Sequence, residues 1–143
     1  TLSGRRTGDI RELLAADGKF YSMWPNWQLD SASEENLATL VVGMQTDLLG
    51  TPTMSYQVDA LMNQSGTGTI KVLFYNWNTS LYEQVGIGTL TGTLQTFSGS
   101  GISTANYRRA DGRIQMLNKS FRPEPLFNYP LITMIDRVKV TLP

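Results

Sequence analysis

Neither cysteine nor histidine occurs anywhere in the 143 residues. Without thiols there are no disulfides, no thiolate nucleophiles and no cysteine-built zinc clusters, and without imidazole every mechanism that uses it as general base is excluded. Charge is scarce as well: Asp, Glu, Lys and Arg make up 17% of the chain, and twelve cations offset twelve acids to a formal net charge of zero. That balance excludes an acidic disordered tail and a polybasic nucleic-acid binder, and it reads as a surface that binds or assembles without steering by charge. No apolar run approaches the roughly 18 residues a membrane-spanning helix requires, so no membrane insertion is expected. Lack of cysteine fits the cytosol or secretion equally. The first residue is Thr1 rather than Met, which reads as a processed chain or a module of a larger one.

What is present is a polar, uncharged palette of Thr, Ser, Asn, Gln and Gly, with aromatics at 10%. The length suits one domain over residues 1–143, large enough to bury roughly two-thirds of its unfolded surface. Apolar runs are short, rich in β-branched and aromatic residues, and bounded by Gly, Asn, Ser or Pro, the pattern of strands and turns. Strands are expected over Lys19–Trp24, Leu37–Thr46, Met54–Met62, Thr69–Trp77, Leu81–Val85, Gly112–Phe121 and Leu131–Leu142. The series predicts an all-β, antiparallel sandwich. The helical signal is confined to Asp9–Ala16, where Asp9 can cap a run placing Ile10, Leu13 and Leu14 on one face before Asp17-Gly18 ends it.

Alternation in the last strand puts Ile132, Met134, Val138, Val140 and Leu142 on the core face, with Ile135 as an exception opposite. Ile70–Tyr75 is nearly continuous in apolar character and reads as a strand covered on both faces. Gly86, Gly88, Gly92, Gly99 and Gly101 break 87–102 into short pieces, and Ser65–Gly68 and Ser98–Gly101 read as exposed loops. Neither glycine cluster completes a phosphate loop, since no Gly-Lys-Ser/Thr follows.

Several residues are candidates for chemistry. Even parity places Asp136 on the inward face, where an unpaired carboxylate is too costly to bury. It must meet backbone amides or an arginine, be turned out by a bulge, or bind a structural calcium ion with an early loop acid such as Asp17 or Asp9. No Asp-x-Asp-x-Asp loop occurs. Trp24-Pro25-Asn26-Trp27 lies where proline confines the chain to an edge or loop. Trp77 and Tyr82 flank the polar turn Asn78-Thr79-Ser80 of a hairpin. These four aromatics, with Asn78, have two readings: rings that stack on sugar C–H faces while amides read hydroxyls, or, for Trp77 and Tyr82, a cross-strand pair that locks the hairpin. Three Asn-x-Ser/Thr sequons occur, at Asn63, Asn78 and Asn118, where about one or two are expected by chance in a chain this rich in Asn, Ser and Thr, so they are weak evidence of glycosylation.

The block Lys71–Glu83, with its Phe-Tyr-Asn-Trp-Asn core, resembles the tyrosine-asparagine-tryptophan hairpin of jelly-roll modules in large secreted bacterial proteins, notably of planctomycetes. Ala16–Tyr21 is similar to the acidic-Gly-aromatic start of their first strand, Tyr107–Met116 to their late Gly-centred turn, and Asp136–Val140 to their closing strand. The chain departs from them in its insertion from Phe121 to Pro130. The resemblance implies an extracellular β-sandwich of the carbohydrate-binding or galactose-binding-like type, whose partner is a polysaccharide or cell-surface glycan. Two other readings stand beside it: a structural subunit of an extracellular assembly that contacts neighbouring protein subunits through Leu126, Phe127 and Tyr129, and, last, a small hydrolase with an Asp/Glu pair. No cofactor other than calcium is expected.

Overall fold

The computed structural model describes residues 5–7, 21–24, 38–48, 50, 52–63, 66–121 and 132–142. Among the described residues nine strands run in chain order: β1 (Arg5–Thr7), β2 (Tyr21–Trp24), β3 (Ala38–Gln45), β4 (Thr53–Met62), β5 (Gly68–Asn76), β6 (Leu81–Leu90), β7 (Gln95–Ser103), β8 (Arg113–Phe121) and β9 (Thr133–Thr141), with one helical turn, α1 (Thr104–Tyr107), after β7. They form two antiparallel sheets ordered β1-β2-β9-β4-β7 and β3-β8-β5-β6. Strand pairs β5–β6, β4–β7, β3–β8 and β2–β9 are all hydrogen-bonded neighbours. Such nesting is that of one long hairpin. Rolling it up adds the β4–β9 and β5–β8 contacts and splits the nested pairs alternately between the sheets, which is the jelly-roll form of the β-sandwich.

The core lies between the sheets. In β5 burial alternates strictly: Ile70, Val72 and Phe74 are 0–1% exposed, while Thr69, Lys71, Leu73 and Tyr75 are only half-buried. The outward face of this strand is therefore open, contrary to the expectation that both faces are covered. A strand in a two-layer sandwich has one core face, and Leu73 and Tyr75 are outward apolar residues rather than a second core.

Two further expectations are corrected. The glycine-rich stretch is not broken into pieces: β6 continues past Val85 to Leu90, and β7 runs through Ser98–Gly101. Here the glycines admit aromatic rings. A Cβ at Gly86 would lie 1.8 Å from the Tyr56 hydroxyl oxygen, and one at Gly88 would lie 2.3 Å from the Phe97 ring. The rings of Tyr56 and Phe97 fill the seam where edge strands β6 and β7 face each other across a groove of about 360 Å³.

In β9 the register slips: Asp59 pairs Arg137, yet Ala60 pairs Ile135, leaving Asp136 as an extra residue. A bulge shifts side-chain parity by one. Thr133 and Ile135 thus face the core before it, and Val138, Val140 and Leu142 after it, so Ile135 is a core residue at 0% exposure and Met134 is not. The helix expected over Asp9–Ala16 lies outside the described residues, as do Leu126, Phe127 and Tyr129. The described helical turn is α1, capped by the Ser103 hydroxyl accepting from the Ala105 amide.

Candidate functional site

Phe74 and Tyr75 are adjacent, so strand geometry sends their rings to opposite faces. Inward, Phe74 packs edge-on to Tyr56 at 6.1 Å between centroids and against Tyr107 at 5.8 Å. Outward, Tyr75 stands between Trp77 at 4.7 Å and Tyr82 at 5.1 Å, at interplanar angles of 70° and 72°. The expected Trp77–Tyr82 cross-strand pair is thus a row of three. Tyr82 lies directly opposite Tyr75 in the β5–β6 register, and Trp77 follows the end of β5. Both sequence-named aromatics are present, and the ring that joins them, Tyr75, was missed; its signal was parity, since 73, 75 and 77 share a face.

The turn that carries this row is built by Asn76. Its buried Oδ1 accepts from the Asn78 amide at 2.9 Å and the Thr79 amide at 3.2 Å, and its carbonyl accepts from Ser80 N at 2.8 Å. Ser80 takes the left-handed conformation, φ 59°, that reverses the chain. Asn78 points away from the ring row: its Nδ2 donates to Asn106 Oδ1 at 2.9 Å, tying the turn to α1. Trp77 is bound on two sides, with Nε1 donating to the Tyr107 carbonyl at 3.1 Å and the Arg109 guanidinium 4.8 Å over its ring. Arg109 is held there by both oxygens of Asp111, at 2.9 and 2.5 Å, and the hydrogen bonds its guanidinium donates hold the Asp111 carboxyl down to a pKa of about 2.

Beneath the turn, Glu83 accepts from Tyr107 Oη at 2.6 Å and Asn76 Nδ2 at 2.8 Å. The Tyr107 bond foremost, then the Asn76 bond, lowers the Glu83 carboxyl below its usual range, and the same carboxylate pushes Tyr107 up to about 12. A depressed carboxylate stabilises the fold fully above its unfolded value of roughly 4.3 and loses that as pH falls through the folded value; a raised tyrosine stabilises fully below roughly 10 and loses that as pH rises toward the folded value. In urea unfolding, the stability gap between wild type and Glu83→Gln should therefore narrow as pH is lowered from about 6 to about 3. A gap constant over that range would show that the carboxylate is not held as described.

The outward face of the four-stranded sheet extends the ring row into a surface. One register row is Val41, Leu117, Leu73 and Gln84; the next is Thr39, Lys119, Lys71 and Ile87. Gln115 Nε2 donates to the Tyr82 hydroxyl, adding an amide beside the rings. Gln115 was not named from sequence because only pairing between β8 and β5 brings it there.

The remaining sequence candidates lie elsewhere. Trp24 ends β2 in the other sheet, paired with Arg5, and Trp27 lies outside the described residues. Asp136 is 2% exposed, so the bulge does not turn it out to water. Asp17, its calcium partner in the sequence reading, lies outside the described residues, and among those described no group of three Asp or Glu is placed to hold a metal. Asn118 faces the core at 1% exposure, which closes its sequon in the folded chain.

Among the described residues no helix is long and apolar enough to cross a membrane. No protein-family model matches the chain, and no curated protein matches it in sequence. Solved structures do match it in shape. A CBM4 structure aligns with a TM-score of 0.54 and 14% identity over 99% of this chain and 93% of its own. An exo-β-agarase aligns with a TM-score of 0.61 and 8% identity over 99% of this chain. The CBM22-1–GH10 modules of the Clostridium thermocellum endo-1,4-β-D-xylanase 10B, complexed with xylohexaose, align with a TM-score of 0.55 and 13% identity over 100% of it. The chain spans 23% and 25% of the length of the latter two. With this topology and these neighbours, the chain has the jelly-roll β-sandwich fold found among carbohydrate-binding modules.

Proposed function

We propose that this chain is a non-catalytic, extracellular glycan-binding module, and that it binds through the outward face of the sheet β3-β8-β5-β6. The observation that carries this reading is the half-exposed row Trp77, Tyr75 and Tyr82, with the Gln115 amide beside it. Rings on a rigid strand pair offer apolar surface to sugar C–H faces at little entropic cost, while amide and hydroxyl groups read sugar hydroxyls. Glycoside hydrolysis needs two carboxyl groups flanking one bond at roughly 5–10 Å. The strand residues that face outward here include no Asp or Glu among those described. Glu83 faces inward, and Asp59 sits in the other sheet with its oxygens taken by Arg137 at 2.8 Å and Thr96 at 2.7 Å. The fold shared with carbohydrate-binding modules supports the same reading.

Affinity electrophoresis through gels of soluble polysaccharides tests it. Tyr75→Ala and Tyr82→Ala should each weaken retention about tenfold, the equivalent of roughly 1.4 kcal/mol, without unfolding the protein. Retention on no polysaccharide, or retention indifferent to both substitutions, would overturn the proposal.

A further inference from the structure

Strands β6 and β7 are the outermost strands of their respective sheets, and the groove of about 360 Å³ lies between them. An edge strand presents a row of backbone N–H and C=O groups that no neighbouring strand pairs. Gly86 and Gly88 on one side and Gly99 on the other line the groove without side chains of their own. Buried Ile70 and Val72 and the half-buried Phe97 ring supply its apolar lining. Tyr56 enters from β4. It is 5% exposed and lines the groove, and its hydroxyl reaches β6 where a Cβ on Gly86 would lie 1.8 Å away. Buried tyrosine hydroxyls ordinarily find a hydrogen-bond partner. Among the described residues this one has none, and burial alone pushes the phenol up from its ordinary value.

A buried hydroxyl without a partner costs free energy that a hydrogen-bonding ligand in the groove recovers. The described residues that line the groove carry no charge, so an ionic group placed there would be desolvated without a counter-charge. The volume is at the small end of ligand sites and suits one ring rather than an oligosaccharide. At one end the chain itself closes the seam, since β6 stops at Leu90, β7 starts at Gln95 and Thr91–Leu94 joins them. A blind end favours the terminus of a polymer over its interior. A pyranose carries both kinds of surface this groove meets: C–H groups for the Phe97 ring, and hydroxyls for Tyr56 and the open strand edges. We propose that the seam between β6 and β7 is a second sugar-binding site, which takes one neutral pyranose, the terminal residue of a glycan, with a sugar hydroxyl bonded to Tyr56 Oη. The choice of a sugar rests on the glycan-binding reading above, but the site shares no residue with the row Trp77, Tyr75 and Tyr82.

The test is an NMR titration of nitrogen-labelled protein with the methyl β-pyranosides of glucose, galactose and xylose and, as the charged comparison, glucuronate. One or more of the neutral glycosides should shift the amides of Gly86, Gly88 and Gly99 saturably at millimolar concentration, about tenfold more tightly than glucuronate. Tyr56→Phe removes only the hydroxyl. It should weaken that binding about tenfold and leave the urea midpoint unchanged, because no hydrogen bond inside the protein is lost. Tyr75→Ala and Tyr82→Ala should leave the glycine shifts intact. Four results overturn the seam site: glycine shifts indifferent to Tyr56→Phe, a urea midpoint lowered by that substitution, glucuronate binding as tight as the glycosides, or shifts confined to Gln115 and the Trp77 indole. The last of these leaves the ring row standing as a glycan site. No shift at any residue with any glycoside also overturns the seam site, and polysaccharide retention of Tyr75→Ala and Tyr82→Ala then decides the ring row separately. Saturable glycine shifts in a protein that no polysaccharide gel retains support the seam and overturn the ring row.

Discussion

Replacing Phe74 with alanine should lower the free energy of unfolding by about 3–5 kcal/mol, the range for emptying a fully buried aromatic site. Phe74 is 0% exposed and holds the Tyr56 and Tyr107 rings, so its loss opens a cavity where α1 and the β4 strand meet the centre of the four-stranded sheet. Tyr75→Ala, one residue along, removes a half-exposed ring whose two edge contacts are worth roughly 1–2 kcal/mol together. The pair of substitutions separates the two faces of one strand: the first should act on stability and the second mainly on glycan retention. Urea unfolding of both variants measures it. A loss below about 1.5 kcal/mol for Phe74→Ala, or equal losses for the two, would contradict the facing assigned here.

Gly112→Ala should be the most damaging of the small substitutions. Gly112 sits at φ +89°, and a Cβ there would lie 1.9 Å from the Thr46 carbonyl oxygen, a backbone atom that no side-chain rotation can clear. The same approach carries the hydrogen bond from Thr46 N to the Gly112 carbonyl at 3.0 Å, which ties the end of β3 to the turn before β8. Left-handed strain costs about 1–2 kcal/mol. Displacing Thr46 forfeits the hydrogen bond and local packing besides, and the expected total exceeds about 3 kcal/mol. Gly101 supplies the internal comparison. It too is left-handed, at φ +69°, but a Cβ there meets nothing within 4 Å. Gly101→Ala should thus cost only about 1–2 kcal/mol in the same urea titration. Equal losses at the two positions would show that φ alone, not the close approach of Thr46, decides the cost.

The strand pattern was readable because period-2 alternation is local: the sequence predicts β3, β4, β5, β8 and β9 within a few residues of their observed limits, and a hairpin centred on Asn78–Ser80. Readings failed where a distant residue decided the outcome. Gly86 and Gly88 look like turn punctuation in a one-dimensional reading. In the folded chain they are the places where Tyr56 and Phe97 approach the backbone of β6, and nothing near them in sequence names those partners. Asp136 follows the alternation of β9 on paper, but one extra residue against Asp59 moves every later side chain to the other parity. The proposed binding face was half visible. Trp77 and Tyr82 stood out as aromatics beside a turn, whereas Tyr75, Gln115, Lys71 and Lys119 are ordinary strand residues until register sets them in one surface.

Composition and alternation by themselves determined that this chain is all-β and without imidazole or thiol chemistry, with aromatic rings concentrated at one hairpin. Those properties depend on residue identity and on neighbours one or two positions away. Only the tertiary structure decided which face those rings occupy, that the glycines of β6 and β7 serve aromatic packing, and that a net charge of zero conceals a sheet face bearing three cations and no acid among its described strand residues. The physical reason is that charge sums over a sequence regardless of position, while a sheet sorts side chains by parity and by non-local register.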